Sequence, residues 1–432
     1  MADTSIYQNI IDPDDWGSCA EETKQYTAVV KRERYLEQIR PFMDTPIVKV
    51  LTGVRRSGKS VLLRLLEQEL YERGVSSNQV LYLNFESVVN MKYHDFNLLV
   101  EKVKKFAAGQ KDSRIYLFFD EIQNVGNWEL CINSFRVDHD ADIYITGSNA
   151  QLLSGELATH LSGRYVQFTV YPFSFSEFVD LYQSIDPSAT IENCFRRYLD
   201  VGGMPVLKDV GFQPAPSRKY LRDIYDTIMI KDVIARNRIR DVDLLNRIIL
   251  FLLANIGQTF SANAISRYFK NKRRVVAVET ILNYLKAATD AFLLYKIPRF
   301  DLICKELLSV QEKYFIADHG LRQSVYGQGQ RDINQVLENL VCLELLRRGY
   351  SVYVGKIGTL EVDFVAQRQD EKLYVQVCYL LAEPATIERE FGVLSRIPDN
   401  YPKYVVSMDE VNLSRDGIRH MHIRDFLLVD TY

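Results

Sequence analysis

Short apolar runs that close on small or polar residues recur through the first 170 positions: Val48–Thr52, Gln79–Glu86, Arg114–Glu121, Asp142–Asn149 and Leu161–Val170. Each is rich in β-branched and aromatic residues and too short for a helix, so each predicts a buried strand. Helical spacing fills the gaps. Val61, Leu62, Leu65, Leu66 and Leu70 follow the first run, residues 91–110 the second, Trp128–Phe135 the third, and a stretch to about His160 the fourth. Strands alternating with helices predict an α/β unit with a parallel sheet. Ahead of the first run, residues 28–43 read as a helix with a basic face (Lys31, Arg32, Arg34, Arg40), and residues 1–27 as a loose polar arm.

In an open parallel sheet a ligand binds beyond the carboxyl ends of the strands, so the residues that close each run matter most. The first run opens into Gly53-Val54-Arg55-Arg56-Ser57-Gly58-Lys59-Ser60, the spacing G-x-x-x-x-G-K-S. Glycines let the backbone turn sharply and aim N–H groups at phosphates, and the helix that follows adds its positive N-terminal end. Lys59 then reaches the β- and γ-phosphates of a nucleotide, and the Ser60 hydroxyl holds Mg²⁺. The third run ends in Asp120-Glu121. Carboxylates closing an apolar strand are costly without a cation. Beside a phosphate loop, Asp120 holds Mg²⁺ and Glu121 polarises the attacking water. Ser148 and Asn149 close the fourth run, where a hydroxyl or amide senses the γ-phosphate. Asn84 and Glu86 join the site if their strand neighbours the phosphate-loop strand. Arg164 opens the last run. It is either a surface arginine at a strand start or one that stabilises transition-state charge in trans, from a neighbouring subunit.

Together with Asp120-Glu121-Ile122-Gln123, Thr146-Gly147-Ser148, Gly163-Arg164, Tyr171-Pro172-Phe173-Ser174-Phe175-Ser176-Glu177-Phe178 and Gly202-Gly203-Met204-Pro205, the phosphate-loop motif gives residues 28–205 a specific likeness. They resemble the AAA+-type ATPase domain that precedes a DUF4143 region. The resemblance implies ATP and Mg²⁺ as ligands, Asp120 and Glu121 as the Walker B pair, Ser148 or Asn149 as sensor 1, and Arg164 at the place of an arginine finger.

The pattern changes past residue 205. Pro214 and Pro216 read as a break, with a helix over Tyr220–Ile234 after it. Short helices follow at Ser261–Phe269 and Ala277–Lys286, then apolar runs at Phe292–Ile297 and Tyr314–Ile316. Over 206–330 this resembles a winged helix, whose second helix enters a DNA major groove. Between the helices Lys270, Lys272, Arg273 and Arg274 form a basic run, which is either a solvated loop or a phosphate contact. From 331 onward a helix (Val336–Arg348) leads to strands at Tyr350–Val354, Glu361–Ala366 and Lys372–Tyr379. That order is similar to PD-(D/E)XK nuclease folds, a restriction-endonuclease-like arrangement. Glu338 and Asp363 match the acids that active members of that group carry. Gln376-Val377-Cys378 stands where an acid-x-Lys pair belongs. Gln376 is a weak ligand for a hard cation and Cys378 is no substitute for lysine, so the unit is expected to be nuclease-like without the chemistry.

Composition narrows the rest. A chain of 432 residues with 47% hydrophobic and 25% charged positions suits several globular domains. The net charge of −3 excludes bulk attraction to nucleic acid and leaves local patches. The cysteines at 19, 131, 194, 304, 342 and 378 have no C-x-x-C spacing, which argues against a zinc ribbon or a disulfide framework and for a reducing, cytoplasmic setting. No apolar run is of membrane-spanning length. The expected function is an ATPase coupled to a C-terminal module that engages DNA or protein, possible as a homo-oligomer. The competing readings are a slow ATP-dependent switch or scaffold, and an ATP-regulated nuclease.

Overall fold

The computed structural model describes residues 10–11, 29–110, 113–150, 161, 163–327 and 332–432. The chain divides into two compact units. The first comprises residues 1–172 with 180–188 and 290–292, and the second comprises the remainder.

In the first unit, β1 (Ile10–Ile11) and β2 (Val29–Val30) pair antiparallel, and strands β3 (Val48–Thr52), β4 (Val80–Asn84), β5 (Ile115–Asp120), β6 (Ala141–Gly147) and β7 (Tyr165–Thr169) form a parallel sheet in the order β4-β5-β6-β3-β7. Both faces are covered, which is why the runs read as continuously apolar. On one face Val48, Val50, Leu117, Phe119 and Ile145 pack with Leu99 and Val103 of one helix (Phe96–Ala108) and with Ile132 and Phe135 of another (Trp128–Asp138). On the other, Leu51, Phe118, Tyr144 and Phe168 meet α1 (Glu33–Ile39) and α2 (Lys59–Glu72). Phe118 and Tyr144 stack with ring centroids 4.5 Å apart. The expected helix at 28–43 is shorter. Val29–Val30 form an extended pair with Ile10–Ile11, Arg32 takes a left-handed φ of 54°, and the helix starts at Glu33. The expected stretch to His160 lies outside the described residues.

The second unit takes in residues 173–179, at the start of the helix Phe175–Ile185, and resumes at 189 with helices at Ile191–Val201, Pro214–Thr227 and, as a π-helical continuation, Ile228–Ala235. Pro214 and Pro216 do not break the chain. They sit in the first turn, where a missing N–H costs nothing and a fixed φ helps. Three helices follow (Val242–Ala254, Ala262–Asn271, Val278–Asp290), then the antiparallel hairpin β8 (Leu294–Asp301) and β9 (Glu306–Ile316). After His319–Tyr326, a long buried helix (Ile333–Arg347) precedes β10 (Ser351–Ile357), β11 (Leu360–Arg368) and β12 (Glu371–Val377). A helix at Pro384–Ser395, β13 (Lys403–Ser407) and β14 (Arg419–His422) complete the unit. One sheet, β14-β13-β12-β11-β10-β8-β9, runs through all of these strands. The hairpin is therefore its edge rather than a free wing, because β8 pairs with β10 through Phe300 and Gly355. Among the described residues no helix is long and apolar enough to cross a membrane.

Candidate functional site

The phosphate loop leaves β3 at Gly53, whose φ of 145° suits only glycine, and an added Cβ would lie 2.2 Å from the Val170 carbonyl oxygen. The loop then turns into α2 through Gly58, also at positive φ. Lys59 is buried and donates from Nζ to the carbonyls of Gly53 (3.0 Å) and Val54 (3.1 Å). The Ser57 hydroxyl is buried, with no hydrogen-bond partner among the described residues. A buried, orphaned hydroxyl in the phosphate loop fits an incoming phosphate oxygen.

The sheet order brings the acids to this loop. Asp120 closes β5, two places from β3, with only β6 between them. Thr146, near the end of β6, bridges that gap. Its hydroxyl donates to Asp120 Oδ1 at 2.5 Å and accepts the Glu121 backbone N–H at 2.8 Å. Ser60 stands close enough to Asp120 for its hydroxyl to favour the charged carboxylate. Burial pushes the Asp120 carboxyl above the usual carboxylate range, and the adjacent Glu121 charge adds to this. Thr146, Ser60 and Lys59 act the other way. A hard cation would favour the charged form, and a Ser60 hydroxyl with an Asp120 carboxylate is an oxygen set suited to Mg²⁺. Glu121 stands in the left-handed region (φ 55°), with its Oε1 3.9 Å from Lys59 Nζ and its Oε2 accepting from Gln123 Nε2. A residue held there at the end of a strand is typical of functional strain. Ser148 and Asn149 are buried directly after β6, where register places Gly147 beside Thr52.

Other expected residues fall differently. The strand of Asn84 does not neighbour β3, because β5 and β6 lie between them. The Asn84 side chain accepts the Glu86 N–H, a loop contact, whereas Glu86 still meets the phosphate loop through Arg55 Nη1 at 2.7 Å. Arg56 is exposed at φ 67°. Arg164 lies at the amino end of the sheet: its carbonyl accepts Val48 N–H at 2.9 Å, and its guanidinium touches Asn133 at 3.4 Å. The strand between it and Gly53 is five residues, on the order of 16 Å at about 3.3 Å per residue.

Sequence reasoning missed Arg32 and the bridging role of Thr146. The buried Arg32 guanidinium donates to the carbonyls of Ser57 (2.9 Å) and Tyr171 (2.8 Å) and lies 4.5 Å over the Tyr35 ring. It ties the phosphate loop to the chain leaving β7. In the second unit, Lys270, Lys272 and Arg273 are exposed, but Arg274 is held by Asp241 (2.7 Å) and Asp243 (2.8 Å).

Comparison with known proteins agrees with this geometry. Residues 45–179 match the family model described as an AAA domain, and residues 192–332 match a domain of unknown function, DUF8612. The downstream match is thus DUF8612, not the DUF4143 region that the motifs resemble. A structure of the replication initiator DnaA bound to AMPPCP and single-stranded DNA is similar at 15% identity, over 60% of this chain and 88% of that one. Its TM-score is 0.32, too low to bear on function. An uncharacterized protein of Haemophilus influenzae is 40% identical over 93% of this chain and 99% of its own length. One of Methanocaldococcus jannaschii is 30% identical over 88% and 85%. The chain therefore belongs to one family with these two proteins, and within it residues 45–179 form an AAA domain.

Proposed function

We propose that this chain binds ATP with Mg²⁺ at Gly53–Ser60, hydrolyses it, and uses the cycle to drive the second unit, which engages DNA or a protein partner. The observation that carries the reading is the convergence of Lys59, Ser60, Asp120 and Glu121. The amides of the loop and Lys59 hold the β- and γ-phosphates, and Lys59 exchanges its carbonyl contacts for phosphate oxygens. Ser60 and Asp120 would hold Mg²⁺, which when bound neutralises charge on the phosphates. Glu121 orients a water and draws its proton. The water oxygen bonds to the γ-phosphorus as the bond to the β,γ-bridging oxygen breaks, and ADP and phosphate leave. Thr146 fixes the spacing of the two acids, and Ser148 or Asn149 reads the γ-phosphate. Arg164 lies too far from its own loop to act in cis, which favours a role in trans within an assembly.

The helices Val242–Ala254, Ala262–Asn271 and Val278–Asp290 support a winged-helix reading in which the β8–β9 hairpin that follows them belongs to the C-terminal sheet instead of standing free as a wing. Exposed Lys270, Lys272 and Arg273 supply phosphate contacts in it. The order helix, β10, β11, β12, helix, β13 supports a nuclease-like reading of the C-terminal part. Steady-state ATP hydrolysis by the full chain, with and without duplex and single-stranded DNA, tests the coupling. Stimulation by DNA is the expected result. A slow rate indifferent to DNA would turn the reading to a nucleotide switch acting on a protein partner.

A further inference from the structure

Lys313 stands at the centre of the C-terminal acids. It belongs to β9, in the hairpin, and its side chain is 3% exposed. Its ammonium lies 2.9 Å from Glu361 Oε1, 3.5 Å from Glu338 Oε2 and 3.5 Å from Asp363 Oδ1. Glu361 and Asp363 share one face of β11, two residues apart, and Glu338 faces them from the helix Ile333–Arg347. One ammonium thus stands within ion-pair distance of three different carboxylates. Glu338 and Asp363 are nearly buried and Glu361 is partly so; carboxylates that converge there need a cation, and this chain supplies one covalently.

The remaining contacts turn the other groups away from that point. Asp363 Oδ2 accepts from Val377 N–H at 2.9 Å, and Asn334 donates to Glu338 Oε1 at 2.9 Å. The Gln376 oxygen accepts the Asp363 backbone N–H at 3.1 Å and so is committed to the backbone. Arg299 adds a second cation, 3.4 Å from Glu361 Oε2. The carboxylates are therefore already engaged by cations from this chain's own hairpin.

We propose that Lys313 is the resident cation of this centre and occupies a latent divalent-metal site built from Glu338, Glu361 and Asp363. The site is filled rather than lost. Metal-dependent phosphodiester cleavage is barred because the position a divalent ion needs holds an ammonium. The same contact fastens the hairpin to the long helix and to β11. This inference is independent of the ATPase reading.

The test is Mn²⁺ binding to the full chain, by titration calorimetry and by thermal unfolding in Mn²⁺ against EDTA. All proteins carry Asp120→Asn, so that the phosphate-loop site contributes nothing. With Lys313 in place, no Mn²⁺ binds at this centre and the unfolding temperature is the same in Mn²⁺ and EDTA. Lys313→Ala should unfold earlier in EDTA, bind one Mn²⁺ at least tenfold more tightly than its parent, and lose that binding when Asp363→Asn is added. Lys313→Gln, closer in length, serves as a second variant read in the same way. Two results would overturn the proposal. One is Mn²⁺ binding or stabilisation in the parent that Asp363→Asn abolishes. The other is a folded Lys313 variant with no gain in Mn²⁺ affinity. Should neither variant fold in EDTA, recovery of folding in Mn²⁺ supports the proposal, and failure to recover contradicts it.

Discussion

Arg32 sits at a left-handed φ of 54° and spends its guanidinium on two backbone carbonyls, those of Ser57 and Tyr171. Neither carbonyl touches a phosphate in this arrangement, but the first belongs to the loop that would. Holding the Ser57 carbonyl fixes the loop backbone directly before Gly58. Charge-assisted hydrogen bonds of this kind are roughly twice as strong as neutral ones. Arg32→Ala should therefore weaken ATP binding about tenfold or more while changing single-turnover hydrolysis at saturating ATP far less. Equilibrium binding of a fluorescent ATP analogue, beside single-turnover rates, separates the two effects. Arg32→Lys should not restore binding, because a lysine presents no fork to reach both carbonyls. Equal affinity in parent and Arg32→Ala would remove the role. Arg32 was not legible in the sequence. It lay inside an apparent basic helix face, and its partners are 25 and 139 residues away. Lys313 was hidden for the same reason, since an isolated lysine in a strand reads as solvent-facing. The acids at 120 and 121 were legible because two carboxylates closing a buried strand are costly without a site.

At the scale of elements, apolar runs predicted every strand of the parallel sheet, because burial on both faces writes itself into composition. The prolines at 214 and 216 misled because proline ends a helix from inside but begins one well. The Gly202-Gly203 motif proves to be a joint between elements rather than part of the nucleotide site. The helix Ile191–Val201 ends at Gly202, at φ 83°, where a Cβ would lie 2.3 Å from Asp318 Oδ1. Asp318 receives Gly203 N–H at 2.7 Å and caps His319–Tyr326 through Leu321 N–H. His319, buried beside it, donates from Nε2 to the Tyr198 carbonyl at 2.7 Å. Burial lowers the His319 pKa, with the Arg322 charge in the same direction and Asp318 opposed. The neutral imidazole is thus the folded form. Its contribution is complete above the unfolded value of about 6.5 and is lost as pH falls through the lower folded value. The unfolding temperature of the parent should fall between pH 7.5 and 5.5 more steeply than that of His319→Gln, which keeps a donor without the charge. Parallel slopes would show that another group carries the acid sensitivity.

At the scale of the whole molecule, the role proposed for the exposed Arg164, at the amino end of the sheet, lies beside another copy's phosphate loop. The rate of hydrolysis per subunit should then rise with protein concentration in the parent and stay flat in Arg164→Ala. Mixing decides it. Glu121→Gln chains keep their arginine, so adding them to Arg164→Ala chains should restore hydrolysis at the intact loops by tenfold or more. No restoration, with both proteins shown to assemble, would leave Arg164 as a surface residue. The same logic extends to the second unit, where Lys270, Lys272 and Arg273 should give salt-sensitive DNA binding that Arg274, held by two aspartates, does not share.

The hydrolysis proposed at the Gly53–Ser60 loop depends on Glu121 as the group that draws the proton from water. The most direct measurement is phosphate release from ATP by the full chain in single turnover, with Glu121→Gln beside the parent and ATP affinity determined for both. Glu121→Gln should keep nearly the parental affinity and hydrolyse about a hundredfold to ten-thousandfold more slowly, the range that a positioned general base supplies. Hydrolysis that persists in Glu121→Gln at the parental rate would contradict that role.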